Sequence, residues 1–143
     1  MLNDPRYKGA EVLLAGANFG CGSSREHAVW ALLDAGFRAV IAPRLADIFR
    51  NNALRNGLVP VELDADSVTK LVDAVRRDPA TTITIDVERR AVEAPGFRAS
   101  FTLDDFSRTR LLEGLDDIAV TLRHERDIGA FEAKRPSWLP RVR

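Results

Sequence analysis

The sequence predicts a mixed α/β domain in which a parallel, helix-connected half is followed by an antiparallel half. In residues 11–77, short apolar runs alternate with helical patterns, which is typical of parallel βαβ units. In residues 81–103, apolar and polar residues alternate with period two between turn signals, which predicts an antiparallel meander. The chain has 143 residues, of which 45% are hydrophobic, so residues 1–143 are expected to form a single domain.

The parallel half is predicted to contain three strands, each followed by a helix. Gly36 and Gly57 each follow a helical pattern, at the position after a helix that favours glycine. Pro60 predicts an edge strand or the end of a strand, because proline has no N–H to donate. Asp64 or Asp66 is expected to cap the third helix. The predicted strands are 11–15, 37–42 and 58–63, and the predicted helices are 23–35, 45–56 and about 65–77.

The antiparallel half is predicted to contain three strands and then two helices. Turn signals at Glu88-Arg89 and Pro95-Gly96 separate the strands. The predicted strands are 81–87, 90–94 and 97–103, and the predicted helices are 104–112 and 115–133. The longer helix carries an apolar stripe formed by Leu115, Ile118, Leu122 and Ile128. From about residue 135 the chain carries prolines and is predicted to be irregular.

Charge and composition argue against several classes of protein. Lys+Arg and Asp+Glu are both 21, which removes the electrostatic argument for a nucleic-acid binder. The N-terminus lacks the apolar core of a signal peptide, and no apolar run reaches the roughly 18 residues of a membrane span. We therefore expect a cytoplasmic protein without a membrane partner. One cysteine and two histidines are too few for a disulfide framework or a metal site in this chain.

The segment Gly20-Cys-Gly-Ser-Ser-Arg-Glu-His-Ala28 is the predicted site of chemistry. It follows a predicted buried strand and opens a helix, where backbone N–H groups and the helix dipole favour an anion. Gly16, Gly20 and Gly22 allow a sharp turn and a close approach to a ligand. Two serine hydroxyls lie beside Arg25, whose planar guanidinium suits a carboxylate or a phosphate.

Structural explanations compete for the same residues. Ser23 and Glu26 have the spacing of a helix capping box, and Arg25 is placed to form a surface ion pair with Glu26 or Asp47. The loop is neither the Gly-x-Ser-x-Gly turn of hydrolases nor a phosphate-binding P-loop. A dinucleotide site is disfavoured, because residues 42–44 offer no acidic group for a ribose.

Cys21 and His27 are weaker candidates for chemistry. Cys21 precedes a helix near Arg25, where a thiolate is favoured, but a nucleophilic cysteine usually needs a nearby base. His27 is close in sequence but lies inside the predicted helix. His124 is expected to be structural or solvated.

Three segments together resemble the swivel domain of the aconitase superfamily: 20–28, 42–53 and Asn-Gly-Leu-Val-Pro at 56–60. The stretch Leu-Leu-Glu-Gly-Leu-Asp-Asp-Ile-Ala-Val-Thr-Leu at 111–122 narrows this resemblance. It is similar to the small subunits of bacterial 3-isopropylmalate dehydratases. The resemblance spans nearly the whole chain. It implies a swivelling β/β/α domain with a mixed parallel and antiparallel sheet.

The resemblance also implies a function. The family is a two-chain hydro-lyase of leucine biosynthesis, which interconverts 2-isopropylmalate and 3-isopropylmalate by removing and re-adding water. Ser23 falls on the family's catalytic base, and Gly22, Ser24 and Arg25 fall on positions that bind the hydroxy-dicarboxylate substrate. The family's large subunit holds a four-iron, four-sulfur cluster on three cysteines, so this chain is expected to bind no cofactor or metal. The resemblance further implies that this chain and the large subunit assemble as a heterodimer or a heterotetramer.

Two further functions stay open from the sequence. Small subunits of related dehydratases, acting on homoaconitate, citraconate or methylmalate, look alike. Family members normally begin earlier, with an N-terminal strand and a substrate-recognition loop, and nothing before Glu11 matches these. The sequence thus suggests a shortened form or a misassigned start, with an exposed sheet edge that favours self-association. The second alternative is accordingly a truncated, non-catalytic module for anion binding or assembly.

Overall fold

A computed structural model describes residues 4–22, 25–136 and 138–139 and confirms the mixed α/β architecture. The pairing is divided between two three-stranded sheets, one parallel and one antiparallel. The first half contains β1 (Val12–Leu14), α1 (His27–Asp34), β2 (Ala39–Ala42), α2 (Asp47–Arg55), β3 (Val59–Glu62) and α3 (Ala65–Arg77). The second half contains β4 (Thr84–Asp86), β5 (Ala91–Ala94), β6 (Phe97–Ser100), α4 (Asp105–Glu113), α5 (Asp117–Leu122) and α6 (Glu125–Ala133).

The parallel sheet has the order β1-β2-β3, with α1 and α2 as its connections. Strand β3 is therefore an edge strand, as Pro60 predicted. Strand β1 is the other edge of this sheet within the described residues. The exposed edge that favours self-association stays a prediction. Gly36 ends α1 with φ +97°, a left-handed conformation that glycine adopts without strain.

Strand β2 is the centre of the core because its alternating side chains serve both faces of the parallel sheet. Val40 and Ala42 pack with residues of α1 and α2, whereas Ile41 packs with residues of β3, α3 and β5. All four residues of β2 are buried. The result is a layer of helices, then the parallel sheet, then α3 with the antiparallel sheet. This arrangement places the end of β1 and the start of α1 at the molecular surface.

The C-terminal helical region differs from the prediction. The single helix predicted over 115–133 is wrong, because it divides into α5 and α6 at Arg123 and His124. Its apolar stripe is largely outside the core, since Ile118 is 69% and Leu122 is 57% exposed. Periodicity alone did not reveal either the break or the exposure. The described residues after Lys134 have no helix or strand, as predicted for the tail.

Two aspartates at helix N-termini are expected to make the stability of the domain depend on acid pH. Hydrogen bonds from Ser67 lower the pKa of Asp64, which caps α3, and hydrogen bonds from Ser107 lower the pKa of Asp104, which caps α4. Because both pKa values lie lower in the folded chain, their stabilisation is present above the unfolded value of about 4 and is lost as pH falls through the folded values.

We therefore expect the melting temperature to fall as the pH is lowered below about 4, and to fall less steeply in the Asp64→Asn/Asp104→Asn variant. Asparagine still caps a helix but does not titrate. Thermal unfolding followed by circular dichroism across acid pH measures this. Equal slopes for the two proteins would show that these carboxylates are not responsible.

Candidate functional site

The loop that carries the predicted chemistry is attached to the segment that follows β2. The Ala15 N–H donates to the Ile41 carbonyl at 2.9 Å, and the Phe19 N–H donates to the Arg44 carbonyl at 3.2 Å. The Ala46 N–H donates in turn to the Phe19 carbonyl at 2.9 Å. These backbone bonds extend the parallel pairing of β1 and β2 beyond the strands. The loop is therefore fixed at the carboxyl end of the sheet, where ligand sites of α/β folds commonly lie.

Gly20 lies where the loop passes over α2. Its φ is +84°, and a Cβ at this position would lie 2.4 Å from both Cβ and Cγ of Phe49. Phe49 is 2% exposed and packs edge-on against Phe19, with ring centroids 5.2 Å apart. Glycine is thus required here both by the backbone conformation and by the close approach to a buried ring.

The segment after β2 is itself fixed by Glu62, at the end of β3. The Glu62 Oε1 accepts a hydrogen bond from the Leu45 N–H at 2.7 Å. Charge-assisted bonds of this kind are stronger than neutral ones. Leu45 is buried and belongs to the same core cluster as Phe49. The segment that supports the loop is therefore held both by β2, which it follows, and by Glu62 of β3.

The beginning of α1 is bound to the end of α2 through Asn56. The Asn56 Nδ2 donates to the Glu26 Oε1 at 2.7 Å, and the Asn56 Oδ1 accepts from the Trp30 Nε1 at 2.9 Å. Glu26 makes no side-chain bond to the α1 backbone. The helix begins at His27, four residues later than predicted. The Glu26 carboxylate thus binds a neighbouring helix, and its predicted capping box with Ser23, which lies outside the described residues, stays a prediction.

The described site residues lie together at the surface. Gly22 and Arg25 are exposed and flank Ser23 and Ser24, the predicted base and substrate contact, which lie outside the described residues. Cys21 is an exposed free thiol. His27 is exposed and packs against Trp30, with ring centroids 4.8 Å apart. Solvent, and hence a ligand, can reach this edge of the loop.

The side chains that hold this loop in place carry little signal in the sequence. Glu62 and Asn56 bind residues 17 and 30 positions away, and Phe49 of α2 contacts the loop at Gly20. Asn56 carried a partial signal, because it belongs to a segment that resembles the superfamily. Its partners could not be deduced from that resemblance.

Within residues 4–22, 25–136 and 138–139, no three side chains of His, Cys, Asp or Glu converge in a way that could hold a metal ion. The only cysteine of the chain also cannot supply a three-cysteine cluster site. In the same ranges, every helix is too short or too polar to cross a membrane.

Two family models match the chain. The model of the aconitase C-terminal domain matches residues 1–66, which contain the loop. The model of the C-terminal domain of 3-isopropylmalate dehydratase small subunits matches residues 117–142. The first match covers β1 to β3, and the second covers α5 and α6. The first match supports the predicted swivel-domain fold, and the second supports the narrower resemblance to dehydratase small subunits.

Individual proteins give the same result over nearly the whole chain. A 3-isopropylmalate dehydratase small subunit of Parafrankia is 64% identical over 98% of this chain and 72% of its own length. The corresponding protein of Rubrobacter xylanophilus is 58% identical over 99% of this chain and 73% of its own. A crystal structure of 3-isopropylmalate dehydratase from Methanocaldococcus jannaschii is 29% identical, with a TM-score of 0.62 over 87% of this chain and 70% of that one. The chain therefore belongs to the family of 3-isopropylmalate dehydratase small subunits, enzymes of leucine biosynthesis that act with a large subunit.

Proposed function

We propose that Ser23 is the base that removes a proton from the substrate of this dehydratase, and that Gly22, Ser24 and Arg25 bind a substrate carboxylate. The observation that carries this proposal is the placement of the loop. Its described residues are exposed at the carboxyl end of the parallel sheet and lead directly into α1. The positive end of the α1 dipole therefore lies at the described residues Arg25 and Glu26, which follow the two serines in the sequence.

The proposed reaction is a reversible dehydration. Ser23, as its alkoxide, takes the proton from the carbon next to a carboxylate, the C–H electrons form the double bond, and the bond from the adjacent carbon to its hydroxyl breaks. The cluster proposed for the large subunit would take up the departing hydroxide. Re-addition of water with the opposite orientation gives the isomer. A serine is a weak base unless its anion is stabilised. The first turn of α1 and the Arg25 guanidinium both act in that direction.

We also propose the nature of the partner. The family name of a small subunit implies a large one, and the four-iron, four-sulfur cluster that the resemblance implies is proposed to lie in that subunit. The residue content of this chain supports the assignment, since it has one cysteine. The assembly is proposed to be a heterodimer or a heterotetramer. The cytoplasmic location stays a prediction.

Reconstitution tests the function and its substrate. The chain would be mixed anaerobically with the cognate large subunit and offered 3-isopropylmalate, homoaconitate, citraconate and methylmalate in separate reactions. We expect the fastest turnover with 3-isopropylmalate. Ultraviolet absorbance measures turnover, since it rises when a saturated diacid loses water and falls when an unsaturated one takes up water. Faster turnover of another diacid would identify a related dehydratase. Assembly without turnover of any of them would favour the non-catalytic module.

Changing Arg25 is expected to weaken substrate binding. Removing a charged hydrogen-bond donor to a carboxylate should raise KM roughly 10- to 100-fold in Arg25→Ala. Arg25→Lys should recover part of the loss, because it keeps the charge but not the two-pronged geometry. Initial rates of the assembled enzyme measure both. Arg76→Ala, at an exposed position on α3, is the control, and an unchanged KM in Arg25→Ala would remove Arg25 from the site.

A further inference from the structure

We propose that Asn56 is a positioning residue for the catalytic loop, acting through Glu26 and Trp30. The inference rests on the proposed role of Ser23. It concerns a side chain at the end of α2 that is separated in sequence from the loop and makes three hydrogen bonds. Asn56 would not touch the substrate. Its role would be to fix the start of α1, where Glu26 directly follows Arg25 of the loop.

The hydrogen bonds of Asn56 fix the orientation of its side-chain amide. Its Nδ2 donates to the Glu26 Oε1 at 2.7 Å and to the Asn52 carbonyl at 2.9 Å, and its Oδ1 accepts from the Trp30 Nε1 at 2.9 Å. A tryptophan ring nitrogen can only donate, and a carboxylate can only accept. The flipped amide would therefore lose all three bonds. Asparagine is thus matched to these neighbours by chemistry as well as by size.

The two contacts of Asn56 on α1 lie one helical turn apart. Glu26 immediately follows Arg25 and precedes the first residue of the helix, and Trp30 is four positions later, on the same face. Binding two points one turn apart restrains both the rotation of α1 and its shift along its axis. Val29 lies between them in the sequence and is fully buried, but apolar contacts do not fix the orientation of a helix. The hydrogen bonds of Asn56 to Glu26 and Trp30 do.

This restraint matters most for the residues next to Glu26. Arg25 directly precedes Glu26, so a rotation at the start of α1 displaces it, and Ser23 is only three positions before Glu26 in the sequence. Catalytic groups tolerate little displacement: a shift of about 1 Å can lower a rate by roughly 100-fold. By contrast, Trp30 is 43% exposed, and the helix is also held by buried Val29 and by half-buried Leu32 and Leu33 packed against the core, so the fold depends less on these bonds.

Asn56→Asp is the decisive variant. It keeps the size of the side chain but places a carboxylate oxygen against Glu26 and the Asn52 carbonyl. We expect kcat of the enzyme assembled with its large subunit to fall roughly tenfold or more, with KM changed by less than about threefold. Rates are compared at a temperature where both proteins are folded and assembled. Thr102→Asp, which adds the same charge at an exposed position after β6, is the control.

Reversing the polarity of the Glu26–Asn56 bond distinguishes positioning from general damage. In the double variant Glu26→Gln/Asn56→Asp, the new amide can donate to the new carboxylate. We expect kcat to recover in part, with the Asn52 carbonyl preventing full recovery. Trp30→Phe, which removes the ring donor, should lower kcat in the same direction even if Asn56→Asp fails to fold.

An unchanged kcat in folded, assembled Asn56→Asp or Trp30→Phe would overturn the inference. So would a loss that follows the melting temperature and is absent under folded conditions. Ser23→Ala is assayed in parallel, because its retained turnover would refute the base assignment separately. If Asn56→Asp lowers kcat while Ser23→Ala keeps its turnover, Asn56 positions the loop but the base is another group on that loop.

Discussion

Replacing Ser23 with alanine is expected to lower kcat of the assembled enzyme by about 10²- to 10⁴-fold, the usual contribution of a positioned base. The alanine side chain cannot accept the proton, and no other described group in the loop replaces it in the proposed reaction. Folding and assembly should change little, because the described neighbours Gly22 and Arg25 are exposed and take no part in the core. KM should stay near the value of the unchanged protein, since the carboxylate contacts remain.

Steady-state rates, thermal unfolding and co-elution with the large subunit together test this expectation. Cys21→Ala serves as the matched control, because Cys21 is the other nucleophilic side chain of the loop and is exposed. We expect the cysteine variant to keep its turnover. Turnover lost in Cys21→Ala but kept in Ser23→Ala would move the chemistry to the thiol.

Gly20→Ala is expected to be the most destabilising single change in the loop, by about 2–4 kcal/mol. The added Cβ would lie 2.4 Å from two atoms of Phe49, and φ of +84° is unfavourable for alanine. Phe49 is 2% exposed and cannot move aside without opening the core. Denaturant unfolding of the chain measures the loss.

Two other glycines separate the causes of this effect. Gly36 has φ +97° but open space around its Cβ position, so Gly36→Ala should show the backbone penalty alone, about 1 kcal/mol. Gly16 has neither a positive φ nor a close neighbour, and Gly16→Ala should be nearly neutral. A Gly20→Ala chain as stable as Gly36→Ala would show that Phe49 relaxes freely.

The fold was largely predictable because local signals agreed with the tertiary arrangement. Gly36 ends α1, Asp64 caps α3 and Pro60 lies in an edge strand, as their chemistry suggests. The alternation of apolar residues over 81–103 also marks the antiparallel sheet. The two helix ends depend on interactions within a few residues, and the strands carry a local pattern even though their pairing joins residues farther apart.

The features that were missed depend on contacts distant in sequence. The bond between the Glu26 carboxylate and Asn56 joins residues 30 positions apart, and no local pattern predicted it. The helix predicted over 115–133 had a continuous apolar stripe, yet it breaks near His124. Hydrophobic periodicity identifies helical segments well but gives no direct information about which neighbour covers them. The chemistry of Ser23 came from the family resemblance.

The proposed role of Ser23 is tested most directly by the first turnover. The large subunit would be mixed rapidly with saturating 3-isopropylmalate, alone, with the unchanged chain, or with Ser23→Ala at matched assembly. The unsaturated intermediate is followed by ultraviolet absorbance. We expect it to form with the unchanged chain and to be absent with Ser23→Ala. Formation at the same rate with Ser23→Ala would show that another group removes the proton.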